Sequence, residues 1–211
     1  MLVLFLAAAA SAPTAVDAER AFASDAQRTG QWTAFRKWAD PDAVMFTPQA
    51  VWVHEFLKGR KDPSQAIQWW LAQSYSSCDG RTAVNLGPWR TSNSSGGFTT
   101  VWQREKGAWR WVYDGGETSF KGAPIPKTPK VRRASCRGRA PGAPIPAPPA
   151  LTALTAAQAR STHIDNGRGQ SADKTLGWDW KVQPDGTRFF RAYLWNGRRY
   201  EPVINQKVTA E

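Results

Sequence analysis

The sequence predicts an α+β fold built on an antiparallel sheet. Three observations favour it: helical periodicity over residues 14–40, long runs with a period of two over 82–114, and a last group of strands behind a Pro-rich segment. The chain has 211 residues and 41% hydrophobic content, which suffices for one ordinary domain with an addition. We expect a signal peptide over 1–18, an α+β domain over 19–120, a linker over 121–160 and a β-meander over 161–211.

Two helices are predicted at the start of the α+β domain. Thr14 and Asp17 form a capping box ahead of an alanine-rich helix that Gly30 ends. Trp32 and Phe35 then recur at three-residue spacing, which predicts a second helix with a buried stripe.

The next segments predict two strands and a third helix. AVMFTP (43–48) and AVWVHEFL (50–57) read as strands. Asp62-Pro63-Ser64 reads as a helix start, and this helix carries Ile67, Trp70 and Leu71.

A tryptophan-rich hairpin closes the domain. FTTVWQRE (98–105) and AWRWVYDG (108–115) flank Lys106-Gly107, a two-residue loop. Counting outward pairs Trp102 with Trp111 and Thr100 with Tyr113, which places the aromatic side chains on one face and Asp114 on the other. A longer loop would slip this register by one residue.

The remaining segments are a basic linker and a small sheet. Residues 121–139 carry seven Lys or Arg and no acid, and 121–160 are rich in Pro, Ala and Arg. Behind this linker, LGWDWKVQ, TRFFRAYLW and RRYEPVIN predict a three-stranded meander, which needs a neighbour to bury its aromatic residues.

The first residues predict export. Leu2 to Ala10 form an apolar run that precedes the small residues Ser11 and Ala12, as in a secretory signal. No Lys or Arg precedes Arg20, and Pro13 directly follows a cut after Ala12, so either cleavage falls later, after Ala18, or the true start lies upstream. An apolar first helix of the folded protein is the alternative. We expect a periplasmic or secreted protein.

Cys78 and Cys136 are the only cysteines, and an even count in an exported protein predicts a bridge between them. Two free thiols in a reducing compartment are the alternative. The wide separation excludes the CxxC spacing of zinc and redox sites. With only His54 and His163 to add, we expect no metal site and no cofactor.

The order of elements resembles the nuclear transport factor 2-like fold, specifically its SnoaL-like and bacterial domain-of-unknown-function branches. The resemblance covers roughly residues 15–116 and depends on four motifs: ERAFA (19–23), GQWTAF (30–35), GFTTVW (97–102) and GAWRWVYD (107–114). It implies a curved sheet that wraps the helices into a cone with a cavity. We expect six aromatic residues to line it: Trp32, Phe35, Trp102, Trp109, Trp111 and Tyr113.

The resemblance also implies where catalysis would occur. Enzymes of this fold, such as ketosteroid isomerase and polyketide cyclases, place an Asp or His base in an apolar cavity. His54 and Asp114 are the candidates here. His54 reads equally well as a hydrogen-bonded wall residue, and Asp114, before two glycines, as a turn residue. The sequence contains no nucleophile elbow, Walker loop or paired-carboxylate motif, which leaves enzyme activity undecided.

Three functions remain. We favour an exported non-catalytic protein that binds an apolar small molecule or contacts other proteins. The alternatives are an isomerase- or cyclase-like enzyme and a basic module for an anionic polymer or membrane surface. That module would use Lys121, Lys127, Lys130, Arg132 and Arg133. We expect no specific nucleic-acid binding, and a homodimer is an open alternative.

Overall fold

The computed structural model describes residues 12–117, 120–145 and 164–209. Most of the predicted signal peptide (1–11), residues 146–160 of the predicted linker and His163 lie outside the described residues. In the described ranges, no helix is long and apolar enough to cross a membrane.

Three helices lie in the first part of the chain: α1 (Ala15–Thr29), α2 (Gln31–Trp38) and α3 (Val53–Phe56). The predicted capping box is present, since the Thr14 amide donates to Asp17 and the Asp17 amide donates to the Thr14 hydroxyl. Ala15 and Ala18 are buried in the core, so the fold begins before the predicted boundary at residue 19.

A large curved sheet forms the middle of the molecule. Its strands are β1 (Ala39–Phe46), β2 (Ala50–Trp52), β3 (Gln68–Trp69), β4 (Gln73–Ser76), β5 (Thr82–Arg90), β6 (Ser95–Glu105), β7 (Ala108–Glu117) and β8 (Lys130–Arg133). The order is β2-β1-β7-β6-β5-β4-β8, and β3 pairs with β5. The prediction of an antiparallel sheet is wrong for two pairs, because β1 lies parallel to β7 and β8 parallel to β4. Long connections join both pairs, as parallel strands require.

The predicted third helix is not formed. Gln68–Trp69 pair with β5 instead. Asp62, read as the start of that helix, accepts bonds from the Thr33 amide (3.0 Å) and the Thr33 hydroxyl (2.6 Å). It therefore caps the first turn of α2, a helix distant in sequence.

The second sheet has four antiparallel strands rather than the predicted three: β9 (Asn166–Gln170), β10 (Leu176–Val182), β11 (Arg188–Trp195) and β12 (Tyr200–Val208). The added strand, NGRGQ, lacks an apolar alternation. Its glycines make room for indoles, because a Cβ at Gly167 or Gly169 would lie within 2.6 Å of Trp180 or 2.2 Å of Trp178.

Part of the predicted linker belongs to the large sheet, as strand β8. The predicted bridge between Cys78 and Cys136 is present with a Cα separation of 5.2 Å, and it holds the chain after β8 against the turn after β4. The Ser135 amide then donates to the Trp195 carbonyl at 2.8 Å, which ties this segment to the second sheet.

The large sheet lies between two layers, with the helices on one face and the second sheet on the other. Each face has its own core. As predicted, Phe35, Trp102, Trp109 and Trp111 are buried on the helix side, and Trp32 is half-buried there.

Candidate functional site

The position of Asp114 is set by a bulge in the β6–β7 hairpin. The register runs as predicted from the loop to the pair Trp102–Trp111, and then Val101 pairs with Tyr113 and Thr100 with Asp114. Val112 is the extra residue, and it shifts every later side chain of β7 to the opposite face.

The bulge reverses two sequence predictions. Asp114, predicted to point away from the helices, lines a cavity on the helix side together with Thr100. Tyr113, predicted to line that cavity, instead packs against Phe190 of the second sheet, with ring centroids 4.6 Å apart. The one-residue slip considered for the loop thus occurs inside the strands.

The cavity lined by Asp114, called here the Asp114 cavity, has a volume of about 200 Å³. Its polar lining side chains are Gln31, Thr100 and Asp114, of which Asp114 alone is ionisable. Its other side chains are apolar or aromatic: Phe22, Trp32, Phe35, Met45, Ile67, Trp69, Trp89 and Phe98. Such a lining favours an apolar ligand with one polar group.

Asp114 titrates far from the usual range of an aspartate. Burial raises its pKa to about 8, the nearby carboxyl of Glu19 adds to the rise, and the Arg188 guanidinium opposes it. Among the described residues, no group donates a hydrogen bond to the Asp114 carboxyl. A neutral carboxylic acid facing an apolar cavity can donate a hydrogen bond to a ligand and can exchange a proton with it.

Glu19 lies in the same core and is fully bonded. Its Oε2 accepts from the Thr100 hydroxyl (2.6 Å), the Trp102 indole (2.7 Å) and the Asn85 amide (3.2 Å), and its Oε1 accepts from the Trp69 indole (2.9 Å). Burial raises the pKa of Glu19 although these donors oppose the rise. This carboxyl joins α1 to three strands.

The other aromatic residues predicted for the pocket divide into two groups. Trp32 and Phe35 line the Asp114 cavity. Trp102, Trp109 and Trp111 lie in the closed part of the helix-side core, where the Trp109 indole donates to the Pro13 carbonyl at 2.9 Å. Whether any of them contacts a ligand stays a prediction.

His54 is not among the residues that line the Asp114 cavity. It lies on α3, half-buried, with Nε2 3.1 Å from the Asp40 carbonyl oxygen. This contact matches the wall-residue interpretation, and a catalytic role for His54 stays untested.

The predicted basic surface is distributed over several contacts. Arg132 pairs with Glu201, and Arg133 donates to the Cys78 carbonyl. Lys121 and Lys127 line two different cavities. Across the described parts of the chain, no group of three or more His, Cys, Asp or Glu side chains could hold a metal ion.

Sequence reasoning missed two residues. Glu19 shares the buried stripe of α1 with Ala15, Ala18, Phe22 and Ala26, so an acid within an apolar helical period was a usable signal. Arg188 is a buried cation at the start of β11. The aromatic residues of this strand predict a buried face, but nothing in the local pattern predicts that Arg188 is buried too.

No protein-family model matches the chain, and no curated protein sequence matches it. Among solved structures, the chain is similar to the crystal structure of an NTF-2-like protein of unknown function from Shewanella oneidensis MR-1. The identity is 14%, the TM-score is 0.38, and the match covers 46% of this chain and 91% of the other. This similarity concerns the fold alone.

Proposed function

We propose that the protein binds a small apolar molecule with one polar group in the Asp114 cavity. One observation carries the proposal: an apolar cavity contains a single ionisable lining side chain, and no described group bonds to it. Asp114 is half-buried, so its carboxyl has lost part of its hydration, and a ligand group that pairs with it recovers part of that loss.

The protonation state of Asp114 specifies the polar group. With a pKa of about 8, the carboxyl is mostly neutral at pH 7 and carries one O–H donor. A carbonyl or hydroxyl oxygen on the ligand would accept it. At about 200 Å³ the cavity is somewhat larger than an engineered cavity of roughly 150 Å³ that binds benzene, so it suits a single substituted ring.

Titrations with toluene and p-cresol, followed by ligand-observed NMR, test this proposal. We expect the wild type to bind both, and p-cresol more tightly. Asp114→Leu should remove the preference for p-cresol and leave toluene binding in place, whereas Glu105→Gln, at an exposed site, should change neither. The proposal fails if the wild type binds neither probe, or if Asp114→Leu leaves the preference intact.

Proton transfer is the second candidate function. The pKa of about 8 favours it, because a carboxyl that titrates near the working pH serves as a general acid or base. The other polar side chains of the cavity already have partners: the Gln31 side-chain oxygen accepts from the Ile67 backbone amide, and the Thr100 hydroxyl donates to Glu19. Because both other polar lining side chains are engaged, binding is the better-supported function.

Turnover distinguishes the two functions. A screen of steroid, polyketide and epoxide substrates should give no turnover if the cavity only binds. Wild-type turnover that Asp114→Asn abolishes, without a change in melting temperature, would establish the enzyme instead.

We also propose that the protein works in the periplasm or outside the cell. The Cys78–Cys136 bridge supports this, because structural disulfides persist mainly in oxidising compartments. Cell fractionation with non-reducing peptide mapping tests it. Recovery of the protein in the cytosol with two free thiols would overturn it.

A further inference from the structure

Arg188 is a charged side chain buried on the second-sheet side, with 5% of its surface exposed. Its Nη2 donates to the Gly116 carbonyl, and its guanidinium carbon lies 4.2 Å from the centre of the Phe46 ring. Its Nε is buried with no acceptor. Among the described residues, no carboxylate is seen in an ion pair with Arg188, whose charge acts on Asp114 without a hydrogen bond, and a buried cation without a paired anion is costly.

Two glycines hold the guanidinium in place. A Cβ at Gly115 would lie 3.0 Å from the Arg188 guanidinium carbon and 2.7 Å from the Tyr113 hydroxyl oxygen. Gly116 supplies the carbonyl that Arg188 bonds. The end of β7 therefore lacks side chains where Arg188 approaches it.

Arg188 lines a second cavity of about 230 Å³, called here the Arg188 cavity. Lys121, Ser94 and Ser95 line it too, and Glu117 is its one acidic lining residue, so its charged side chains sum to a positive value at neutral pH. This cavity therefore attracts an anion.

The two cavities share Trp89 and Gly116 as lining residues. Gly116 is exposed and places no side chain between them. The two cavities therefore adjoin at Trp89 and Gly116, which is the arrangement that a molecule with an apolar end and an anionic end requires. Their volumes, taken together, fall at the lower end of the range of roughly 300–1,000 Å³ that is typical of small-molecule sites.

We propose that the ligand is an apolar carboxylic acid that carries one further carbonyl or hydroxyl oxygen: its apolar part fills the Asp114 cavity with this oxygen at Asp114, and its carboxylate pairs with Arg188 in the Arg188 cavity. The planar guanidinium fork matches a carboxylate, and Lys121 adds a second, exposed cation. This inference rests on the proposed function, because it assigns the apolar end of the ligand to the Asp114 cavity.

Calorimetric titrations with 3-phenylpropanoate, its methyl ester and toluene test the inference. We expect the wild type to bind the acid at least about tenfold more tightly than the ester, since that ratio corresponds to about 1.4 kcal/mol, the low end for a charge-assisted bond. Arg188→Gln should reduce the preference to below about threefold and leave toluene binding unchanged. Equal binding of acid and ester by the wild type would overturn the inference.

A second variant covers the case in which Arg188→Gln does not fold. Lys121 is exposed, so Lys121→Gln should fold and should weaken binding of the acid about twofold to threefold without changing binding of the ester. Lys127→Gln, which removes a cation from a different cavity, is the matched control and should have no effect. If Lys121→Gln binds the acid as the wild type does while Arg188→Gln is unfolded, the inference is also overturned.

The toluene titration separates the two proposals. If the wild type binds neither toluene nor p-cresol, the proposed function of the Asp114 cavity fails, and this inference fails with it. If the wild type binds toluene but shows no preference for the acid, the inference alone fails.

Discussion

Two carboxyl groups lie next to Thr100 on the helix side of the large sheet, and their surroundings differ. Glu19 accepts four hydrogen bonds, one of them from the Thr100 hydroxyl. Asp114 pairs with Thr100 across the strands, lines a cavity and receives no bond from any described group. A fully bonded buried carboxyl stabilises a fold, whereas an unbonded one at a cavity wall costs stability and favours a binding role.

The largest expected effect comes from removing the bonded carboxyl. Glu19→Ala leaves four donors without an acceptor in a buried core, and we expect it to lower the free energy of unfolding by about 4 kcal/mol. Urea denaturation measures the change. Glu55→Ala, an exposed acid on α3, should cost less than about 0.5 kcal/mol. A loss below about 1 kcal/mol for Glu19→Ala would mean that Glu19 is not a structural centre.

The unbonded carboxyl should act in the opposite direction. The pKa of Asp114 in the folded state is about 8, above the unfolded value near 4. The stabilising contribution of its proton is therefore fully present below about pH 4 and is lost as the pH rises through about 8, with a slope of at most about 1.4 kcal/mol per pH unit. Asp114→Asn lacks this loss.

We therefore expect the stability of Asp114→Asn relative to the wild type to rise between pH 5 and pH 9, by at most about 4 kcal/mol, and the variant to be the more stable protein at pH 9. Urea denaturation at both pH values gives the comparison. A variant less stable than the wild type at pH 9 would show that the ionised carboxyl is well paired.

The two carboxyls should also be coupled. Glu19 raises the pKa of Asp114, so Glu19→Gln should move the titration of Asp114 to lower pH. Carbon-13 NMR of the Asp114 carboxyl measures this shift. An unchanged titration in a folded Glu19→Gln variant would separate the two sites.

The smallest effect concerns the residue between them. Thr100→Val removes one of the four donors to Glu19 and should cost about 1 kcal/mol, and Thr100→Ser should restore most of it. Thermal unfolding measures both variants. Equal stability of the Val and Ser variants would show that the hydroxyl contributes nothing to the Glu19 network.

Much of this arrangement follows from local sequence. The capping box at Thr14, the aromatic stripe of α2 and the Lys106-Gly107 loop each depend on neighbouring residues, and the structure confirms them. Lys106 adopts φ 48° and Gly107 φ 85°, as a two-residue hairpin loop requires.

The candidate site depends on features that local patterns do not contain. The hydrophobic alternation of β7 does not reveal the bulge at Val112. Tyr113 can be buried on either face of the sheet, and the position of Asp114 before two glycines is also typical of a turn residue. The helix predicted to begin at Asp62 does not form for a similar reason: the Asp62 carboxylate accepts a hydrogen bond from the Thr33 amide on α2, which is distant in sequence. The burial of Arg188 could not be predicted from β11 alone, because Arg188 donates to the Gly116 carbonyl of β7, which comes from another part of the chain.

The central claim is that Asp114 is kept as a neutral, unpaired acid facing an apolar cavity. A carbon-13 NMR titration of its carboxyl in the wild-type protein, assigned by comparison with Asp114→Asn, tests this claim most directly. The account predicts a pKa of about 8 that changes when p-cresol is bound. A pKa near 4, unaffected by p-cresol, would contradict it and would make Asp114 an ordinary solvated residue at the end of a strand.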